Sequence, residues 1–548
     1  MKSPLLVAID AKYIHTNNAV RLLKANSKHP VDLLCYTIKD DPLKILQAIR
    51  QADPLFVGFS TYIWNVETVR FLTRRLKNQD GPAVVLGGPE VSYEPRPFLE
   101  SGADLIIRGE GEHVFDAVIE HYRSGQSLAD LPNLAYRSDN GEIIERPIKE
   151  IDDLSIIESP HRFAFDEHER PHRIHYIESS RGCPHRCTYC LSSLEQSVRF
   201  FPVETVLADI DYLLKRGART FRFLDRSFDV SKHACTIVDY IVAHHTEESV
   251  FQFEMTGDNL PLELVEHIHR TAPPGLFRFE VGIQSIHDDV NRKVGRRQDT
   301  ESLFRTLRKI ISANVVDLHL DLIAGLPGES LERFKEGFNA TFDLGAKEIQ
   351  LGFLKLLRGT ALRRLAPRMG YLFDQHPPYE VQKSDAMDER DFAELKEVEA
   401  ALDRFHNRGY FEGTLHGILM ETFESPYEGL LSMIRTYREE GLPEKGYQLE
   451  TLYDFVHRFL AARGVEEDRL DDLKRTYLEQ FKTKPKGYFP KIRNKPLRQK
   501  LFQRLNQDVG LNVNDAFKHA VCIHYKEGFL VAYYDGEHVA IHELSPVD

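Results

Sequence analysis

The sequence predicts an α/β protein: an amino-terminal doubly wound, Rossmann-like domain, then a partial barrel of six βα units, then a mostly helical region ending in a small antiparallel sheet. Three observations predict it. Short, almost wholly apolar runs alternate with amphipathic segments through the first 125 or so residues. A second alternation begins near residue 174 and continues for six units. From about residue 370 the alternation stops and charged helical patterns take over.

The first domain is expected over residues 1–128. Its candidate strands are PLLVAID (4–10), VDLLCYT (31–37), PLFVGFST (54–61), AVVLGG (83–88) and ADLIIRG (103–109). Segments such as NVETVRFLTRRLK between them carry apolar residues at helical spacing, so both sheet faces are covered and the strands run parallel. Ligands bind such sheets beyond the carboxyl ends of the strands. The loops there are Ser60-Thr61-Tyr62, Gly87-Gly88-Pro89 and Gly109-Glu110-Gly111-Glu112, and their glycines let a backbone approach a ligand closely.

Residues 129–172 read as a hairpin and linker, with Asp139-Asn140-Gly141 as the turn signal and a polar, aperiodic stretch after it. The barrel is expected over 173–368. Its strands are IHYIESS (174–180), TFRFLD (220–225), VFQFEMTG (250–257), LFRFEVGI (276–283), VVDLHLDLIAG (315–325) and AKEIQLGFLKL (346–356). Residues 369–548 form a carboxyl-terminal extension, with helices expected at 391–407, 447–464, 466–481 and 490–508 and strands in AVCIHYKEGFLVAYYDGEHVAIHEL.

At 548 residues, and roughly 150 residues per domain, the chain has room for three or four domains. No apolar stretch approaches the ~18 residues of a membrane span. The apolar start of MKSPLLVAIDAKYIH is interrupted by Asp10 and Lys12 without a cleavage site, so a soluble cytoplasmic protein is expected. Seventy-one basic against 84 acidic residues leave a formal charge of −13, which disfavours nucleic acid as the main partner. In a reducing compartment Cys35, Cys235 and Cys522 are expected as buried thiols rather than disulfides.

The remaining three cysteines crowd into RGCPHRCTYC (181–190), on the loop after the first barrel strand, where barrels of parallel strands place their active sites. A zinc site wants a fourth ligand; His185 is nearest, but no second pair at finger spacing lies downstream. A dithiol pair of Cys187 and Cys190 leaves Cys183 idle. Three thiolates on one short loop suit an iron–sulfur cluster that keeps one iron open.

The spacing C-x3-C-x2-C, with Tyr189 before the last cysteine, resembles the radical S-adenosylmethionine (SAM) superfamily, and so do VGIQSIHDDVNRKVGR (281–296), DLIAGLPGES (321–330) and LGFLKLLRGTAL (351–362), in that order. The first domain, with STYIWN, LGGPEVS and IIRGEGE at its edge, resembles the cobalamin-binding domain fused to one branch of that superfamily. PPYEVQKSDAM and the rest of the chain resemble the carboxyl-terminal extension of a bacterial subgroup.

The resemblance implies that Cys183, Cys187 and Cys190 are the catalytic cluster ligands, holding a [4Fe–4S] cluster whose open iron takes the amino and carboxylate groups of SAM. It implies Tyr189, Asp225, Arg226, Glu254, Gln284, Ser285 and Arg296 as SAM contacts. Cobalamin contacts are expected from Ser60, Thr61, Tyr62, Gly87, Gly88, Pro89, Glu90, Gly109 and Glu110; DAKYIH lacks the D-x-H-x-x-G spacing, so either cobalamin is bound without a histidine on cobalt, as the resemblance implies, or the domain has lost it, and His15 is expected to be structural. Arg181, Arg226, His287 and Lys355 are possible substrate contacts.

The implied activity is reductive cleavage of SAM, with methylation of an unactivated carbon of an unknown substrate. The implied electron donor is a flavodoxin or ferredoxin. A radical rearrangement, cyclisation or oxidation with cobalamin as redox partner is the alternative within enzymes. A non-catalytic cobalamin sensor or partner protein is the alternative outside them.

Overall fold

The structure is a computed structural model that describes residues 2–78, 81–138, 140–195 and 197–546. The chain divides into two compact units: residues 1–331 with 352–389, and residues 332–351 with 390–548.

The first unit contains the amino-terminal sheet and the first five strands of the barrel sheet; residues 348–351 of the sixth fall in the second unit. In the amino-terminal sheet, β1 (Leu5–Asp10), β2 (Asp32–Thr37), β3 (Phe56–Ser60), β4 (Ala83–Gly87) and β5 (Leu105–Ile107) run parallel, and β6 (Leu134–Arg137) and β7 (Ile143–Glu145) add antiparallel to the edge, in the order β2-β1-β3-β4-β5-β6-β7. All five predicted strands are present. β1 and β3 are buried along their whole length, as a strand covered on two faces must be. Leu5, Val7, Ile9, Val57 and Phe59 pack in the core on one face, and Leu6, Ala8 and Phe56 in the core on the other. The hairpin expected in the linker exists but belongs to this sheet; of its turn signal, Asp139 lies outside the described residues.

β8 (Ile174–Ile177) opens the second sheet. β9 (Ser180–Arg181) and β10 (Arg199–Phe200) then form a short antiparallel ladder that closes the loop between them. The sheet continues with β11 (Thr220–Phe223), β12 (Val250–Met255), β13 (Phe277–Gln284), β14 (Asp317–Ala324) and β15 (Glu348–Phe353), in the order β15-β14-β13-β12-β11-β8. Their alternation sorts side chains by face. Phe221, Phe223, Phe251, Phe253, Phe277 and Phe279 are fully or almost fully buried. The other face carries Arg222, Gln252, Glu254, Arg278 and Glu280, which are only partly covered. There Arg222 Nη2 and Gln252 Nε2 both donate to Glu280, at 2.6 and 2.5 Å.

β16 (Leu372–Phe373) and β17 (Val381–Lys383) form a small ladder in the first unit, so residues 369–389 pack there rather than with the rest of the extension. The second unit has helices at Glu389–Phe405, Leu449–Ala461, Glu467–Glu479 and Lys495–Val509, close to the predicted ranges. Helices Thr414–Thr422, Pro426–Glu439 and Val513–His519 lie outside those ranges. The chain closes with the antiparallel β18 (Ala520–Tyr525), β19 (Gly528–Tyr534) and β20 (Val539–Leu544). Among the described residues no helix is long and apolar enough to cross a membrane.

The expectation for the three isolated cysteines needs correction. Cys522 is buried in β18, but Cys35 and Cys235 are exposed. Cys35 lies on β2, the edge strand of its sheet, and Cys235 on an outward-facing position of helix Ala234–His244.

Candidate active site

A cavity of about 580 Å³ lies where the carboxyl ends of β3, β4 and β5 meet the mouth of the barrel. From the amino-terminal sheet it is lined by Asn18, Ser60, Tyr62, Trp64, Gly87, Gly88, Pro89, Gly109 and Glu110. From the barrel it is lined by Glu178, Ser180, Arg181, Gly182, Leu191, Glu195, Leu224 and Arg226. The sheet order reverses between β1 and β3, so the cavity sits at the switch point where open α/β sheets bind ligands.

Gly88 adopts φ 102°, and a Cβ there would lie 2.5 Å from the Thr61 carbonyl oxygen. That contact presses the loops after β3 and β4 together, and Thr61 N donates to Gly87 O at 2.7 Å. Tyr62 and Trp64 stack at 4.4 Å with 6° between their planes. The Trp64 indole donates to Ile9 O at 3.2 Å, which fixes this aromatic plate at the cavity wall. Burial pushes the Tyr62 phenol well above its ordinary pKa.

The cysteine loop is pinned on several sides. Gly182 has φ 93°, and a Cβ on it would fall 2.0 Å from Ser197 O. Thr188 N donates to Val294 O at 2.8 Å, and Leu362 N donates to Thr188 O at 2.9 Å. Cys183 and Cys187 are buried and Cys190 partly so, and none forms a disulfide. Burial raises the Cys183 thiol, and it raises Cys187 against the opposing pull of the Arg296 charge and the Tyr189 hydroxyl. Among the described residues no three His, Cys, Asp or Glu side chains converge on a single metal ion. Three thiolates that each bind a different iron of a cubane do not need to.

The residues expected to bind SAM divide. Asp225 is 1 % exposed and accepts from Ser179 N at 3.0 Å and from the Ser179 and Ser180 hydroxyls at 2.5 and 2.6 Å. Burial, only partly offset by those bonds, pushes its pKa up to about 6. Asp225 thus ties the end of β11 to the entrance of the cysteine loop. Arg226 Nη1 donates to Glu254 Oε2 at 3.2 Å, and Arg226 faces the cavity. Burial raises the Glu254 carboxyl. Gln284 sits at a bulge in β13 with φ 64°, and its buried Oε1 has no partner. The residue thus combines a strained backbone with an unpartnered buried acceptor. Ser285 donates to Glu329 Oε1 at 2.5 Å. Arg296 donates to Gly282 O and, at 2.8 Å, to Gln298 Oε1.

Seven of the nine expected cobalamin residues line the cavity; Thr61 and Glu90 do not. Glu90 is 4 % exposed and accepts from Tyr379 Oη at 2.7 Å, with the Arg358 guanidinium 3.5 Å away. Glu110 lines the cavity but is already engaged: Arg199 lies 2.9 Å away, Arg181 3.3 Å, and Ile151 N donates to it at 2.6 Å. Burial opposes its ionisation, yet these partners hold it below the usual carboxylate range.

Of the possible substrate contacts, Arg181 is held by Glu110, Glu112 at 2.8 Å and Glu178 at 3.0 Å. The Lys355 backbone pairs antiparallel with that of Glu380, outside the cavity lining, and His287 is absent from that lining too. His15 Nδ1 lies 2.7 Å from Tyr176 Oη, and Ile174 N donates to Ile14 O at 2.7 Å. His15 therefore faces the barrel edge rather than the cavity. Nothing in the local sequence singles out Arg199 or Tyr379, whose partners are remote along the chain.

The site fits the implied cofactors. Three thiols stand on one pinned loop at the mouth, and buried acceptors on Gln284 and on Asn18, which lines the cavity, lack partners.

Comparison with known proteins agrees. Residues 4–119 match the B12 binding domain, 177–339 the radical SAM superfamily, and 368–524 a family described as a protein of unknown function (DUF4080). The chain is 23% identical over 325 residues to the 2-(S-pantetheinyl)-carbapenam-3-carboxylate methyltransferase of Streptantibioticus cattleyicolor, covering 54% of this chain and 46% of that protein. It is 23% identical over 420 residues to the cobalamin-dependent radical SAM methyltransferase TokK of Streptomyces tokunonensis, covering 69% and 61%. The chain thus spans about half the length of the curated relatives it matches. Among solved structures, TsrM from Kitasatospora setae with cobalamin and [4Fe–4S] cluster bound aligns with TM-score 0.61 at 17% identity, covering 80% of this chain and 99% of that one. OxsB with aqua-cobalamin and SAM bound aligns with TM-score 0.60 at 16% identity, covering 87% and 84%. The chain thus carries a B12-binding domain followed by a radical SAM domain, and the cofactors that go with that pair of domains are a [4Fe–4S] cluster, SAM and cobalamin.

Proposed function

We propose that the protein is a cobalamin-dependent methyltransferase that acts on an unactivated carbon of a small-molecule substrate. The observation that supports this reading is one cavity bounded on one side by the edge expected to hold cobalamin and on the other by Arg181, Gly182 and Leu191, which flank the cysteine loop. When bound, the cofactors supply a hydrogen-abstracting adenosyl radical and a transferable methyl group.

The chain's own residues place and shield. Cys183, Cys187 and Cys190 hold the cluster, and Asp225 fixes the strand end from which their loop departs. Arg226 and Glu254 offer opposite charges at the mouth, suited to the carboxylate and ammonium of an amino acid moiety such as that of SAM. Gln284 offers an amide oxygen to a ribose hydroxyl. Ser60, Tyr62, Gly87, Gly88, Pro89 and Gly109 form the bed for the corrin, and the stacked Tyr62 and Trp64 present an apolar face that excludes water.

The test is anaerobic reconstitution with iron, sulfide and cobalamin, followed by methyl-deuterated SAM, dithionite and cell extract. The expected products are 5′-deoxyadenosine, S-adenosylhomocysteine and an extract molecule heavier by one labelled methyl group. 5′-Deoxyadenosine without any labelled product would turn the reading toward a radical rearrangement, cyclisation or oxidation. Neither product, from protein with full iron and corrinoid content, would turn it toward a sensor.

A further inference from the structure

The stretch after β4 forms part of the cavity wall: Gly88, Pro89, Ser92 and Tyr93 line it. Glu90 and Glu94, one turn apart in the same stretch, do not line it, and both carboxylates are held by residues more than 260 positions along the chain. Glu94 Oε2 accepts from Arg358 Nη1 at 2.8 Å, and its Oε1 accepts from Gly359 N at 3.1 Å. Glu90 Oε2 accepts from Tyr379 Oη at 2.7 Å, and Arg358 Nε donates to that same hydroxyl at 3.0 Å. The Tyr379 hydroxyl therefore donates once and accepts once, so its orientation is fixed at both ends.

The segment that supplies these contacts also holds the cysteine loop. It starts where β15 ends and returns through β17, with Leu356 N donating to Tyr379 O at 3.0 Å and Val381 N to Leu354 O at 2.9 Å. Between those points Leu362 N donates at 2.9 Å to Thr188 O, which lies between Cys187 and Cys190. Two backbone positions show how tightly the segment is fitted. Tyr379 is fully buried and holds φ 60°, a left-handed conformation that a bulky side chain keeps only where its surroundings impose it. Gly359 has φ 85°, and a Cβ on it would lie 2.3 Å from Cβ of the cavity-lining Tyr93. Apolar side chains in place of Glu90, Arg358 and the Tyr379 hydroxyl would hold the segment down at no desolvation cost; the polar network adds a fixed geometry.

We propose that residues 354–383 clasp the corrin wall and the cysteine loop in one register, with Tyr379 as a positioning residue that acts on cobalamin through Glu90 and residues 88–93. The proposal rests on the functional reading above in one respect, that this wall carries cobalamin. It gives a role to the opening of the 368–524 segment, which matches a family of unknown function: Tyr379 lies in it and serves the site rather than the helical unit that follows. Glu90, expected as a cobalamin contact, acts in this account from behind the wall.

The experiment uses the full chain, with Tyr379→Phe and Gly359→Ala as test variants and Tyr371→Phe as control. Tyr371 is a buried tyrosine of the same segment whose hydroxyl donates to Gly325 O at 3.0 Å, on the barrel and not on the corrin wall. Hydrogen–deuterium exchange on the cofactor-free chain reads residues 88–94, absorbance titration reads the affinity for hydroxocobalamin, and electron paramagnetic resonance at saturating cobalamin reads the coupling of cobalt(II) to the reduced cluster. In both test variants residues 88–94 are expected to exchange faster, cobalamin affinity to fall by about tenfold, and the coupling to weaken or spread, while the control keeps wild-type values. Wild-type affinity in both test variants, or wild-type coupling in both, overturns the positioning role, as does a control altered as much as they are. A wild type that takes up no cobalamin defeats the functional reading instead, and the exchange arm then decides the clasp: equal exchange of residues 88–94 in wild type and Tyr379→Phe overturns it.

Discussion

Arg181 and Glu110 meet at 3.3 Å although they stand 71 residues apart, one at the threshold of the cysteine loop and the other at the carboxyl edge of the amino-terminal sheet. Arg199 reaches the same carboxylate from the far strand of the loop's closing ladder. The two strands that carry the cysteine loop are thus each bonded to the wall expected to hold cobalamin. Losing one partner of such a buried group leaves the others uncompensated. Arg181→Met is expected to destabilise the protein by about 3–5 kcal/mol, measured by urea unfolding, and to lower iron and corrinoid retention together. Unchanged stability would show that the pair is incidental.

Gly182→Ala tests the loop's geometry directly. The backbone is left-handed there and a methyl group would overlap Ser197 O, so the loop must shift. Iron bound after anaerobic reconstitution is expected to drop to a small fraction of wild type, while far-ultraviolet circular dichroism stays close to native. Full iron loading would contradict the pinned geometry.

Asp225 gives a pH signature. Its folded pKa, raised to about 6 from 3.8, means that the folded state holds this proton more tightly than the unfolded one. Its contribution to stability is therefore greatest below about pH 4, declines as pH rises through 6, and is level above that. The span is at most roughly 3 kcal/mol at 1.36 kcal/mol per pKa unit. Comparing urea midpoints of the wild type and Asp225→Asn at several pH values isolates it: the wild type should lose stability relative to the variant between pH 4 and 7. A constant difference would show that Asp225 is not buried as described.

Gln284→Ala removes an orphaned acceptor from β13 and leaves the backbone position as it is. SAM affinity, read by calorimetry on the reconstituted protein, is expected to weaken by about tenfold, in line with loss of one or two hydrogen bonds. Cobalamin retention should be unchanged, because Gln284 lies outside the cavity's corrin wall. Equal affinity would move the nucleoside away from β13.

The elements that repeat are legible in the sequence. Apolar runs mark the strands of both parallel sheets, and the position of RGCPHRCTYC after the first barrel strand marks the mouth, because local pattern and spacing carry that information. Pairing between remote side chains is not legible. Asp225 is expected as a SAM contact, and nothing local in the sequence reveals that Ser179 and Ser180, 46 and 45 residues earlier, donate to it. Glu90 reads as part of a ligand edge, yet its partner Tyr379 is 289 residues away. The hairpin that carries 143–145 is legible from its turn signal, but its attachment to the edge of the amino-terminal sheet is not, because that pairing joins residues remote along the chain.

The proposed methyl transfer requires the cluster and the cobalt to lie close together. Electron paramagnetic resonance on protein carrying both a reduced cluster and cobalt(II) cobalamin tests this arrangement without any knowledge of the substrate. Lines split or broadened by dipolar coupling, which revert to simple spectra when Cys183, Cys187 and Cys190 are replaced by alanine or when cobalamin is withheld, are the expected result. A spectrum that is the plain sum of two isolated centres would contradict it.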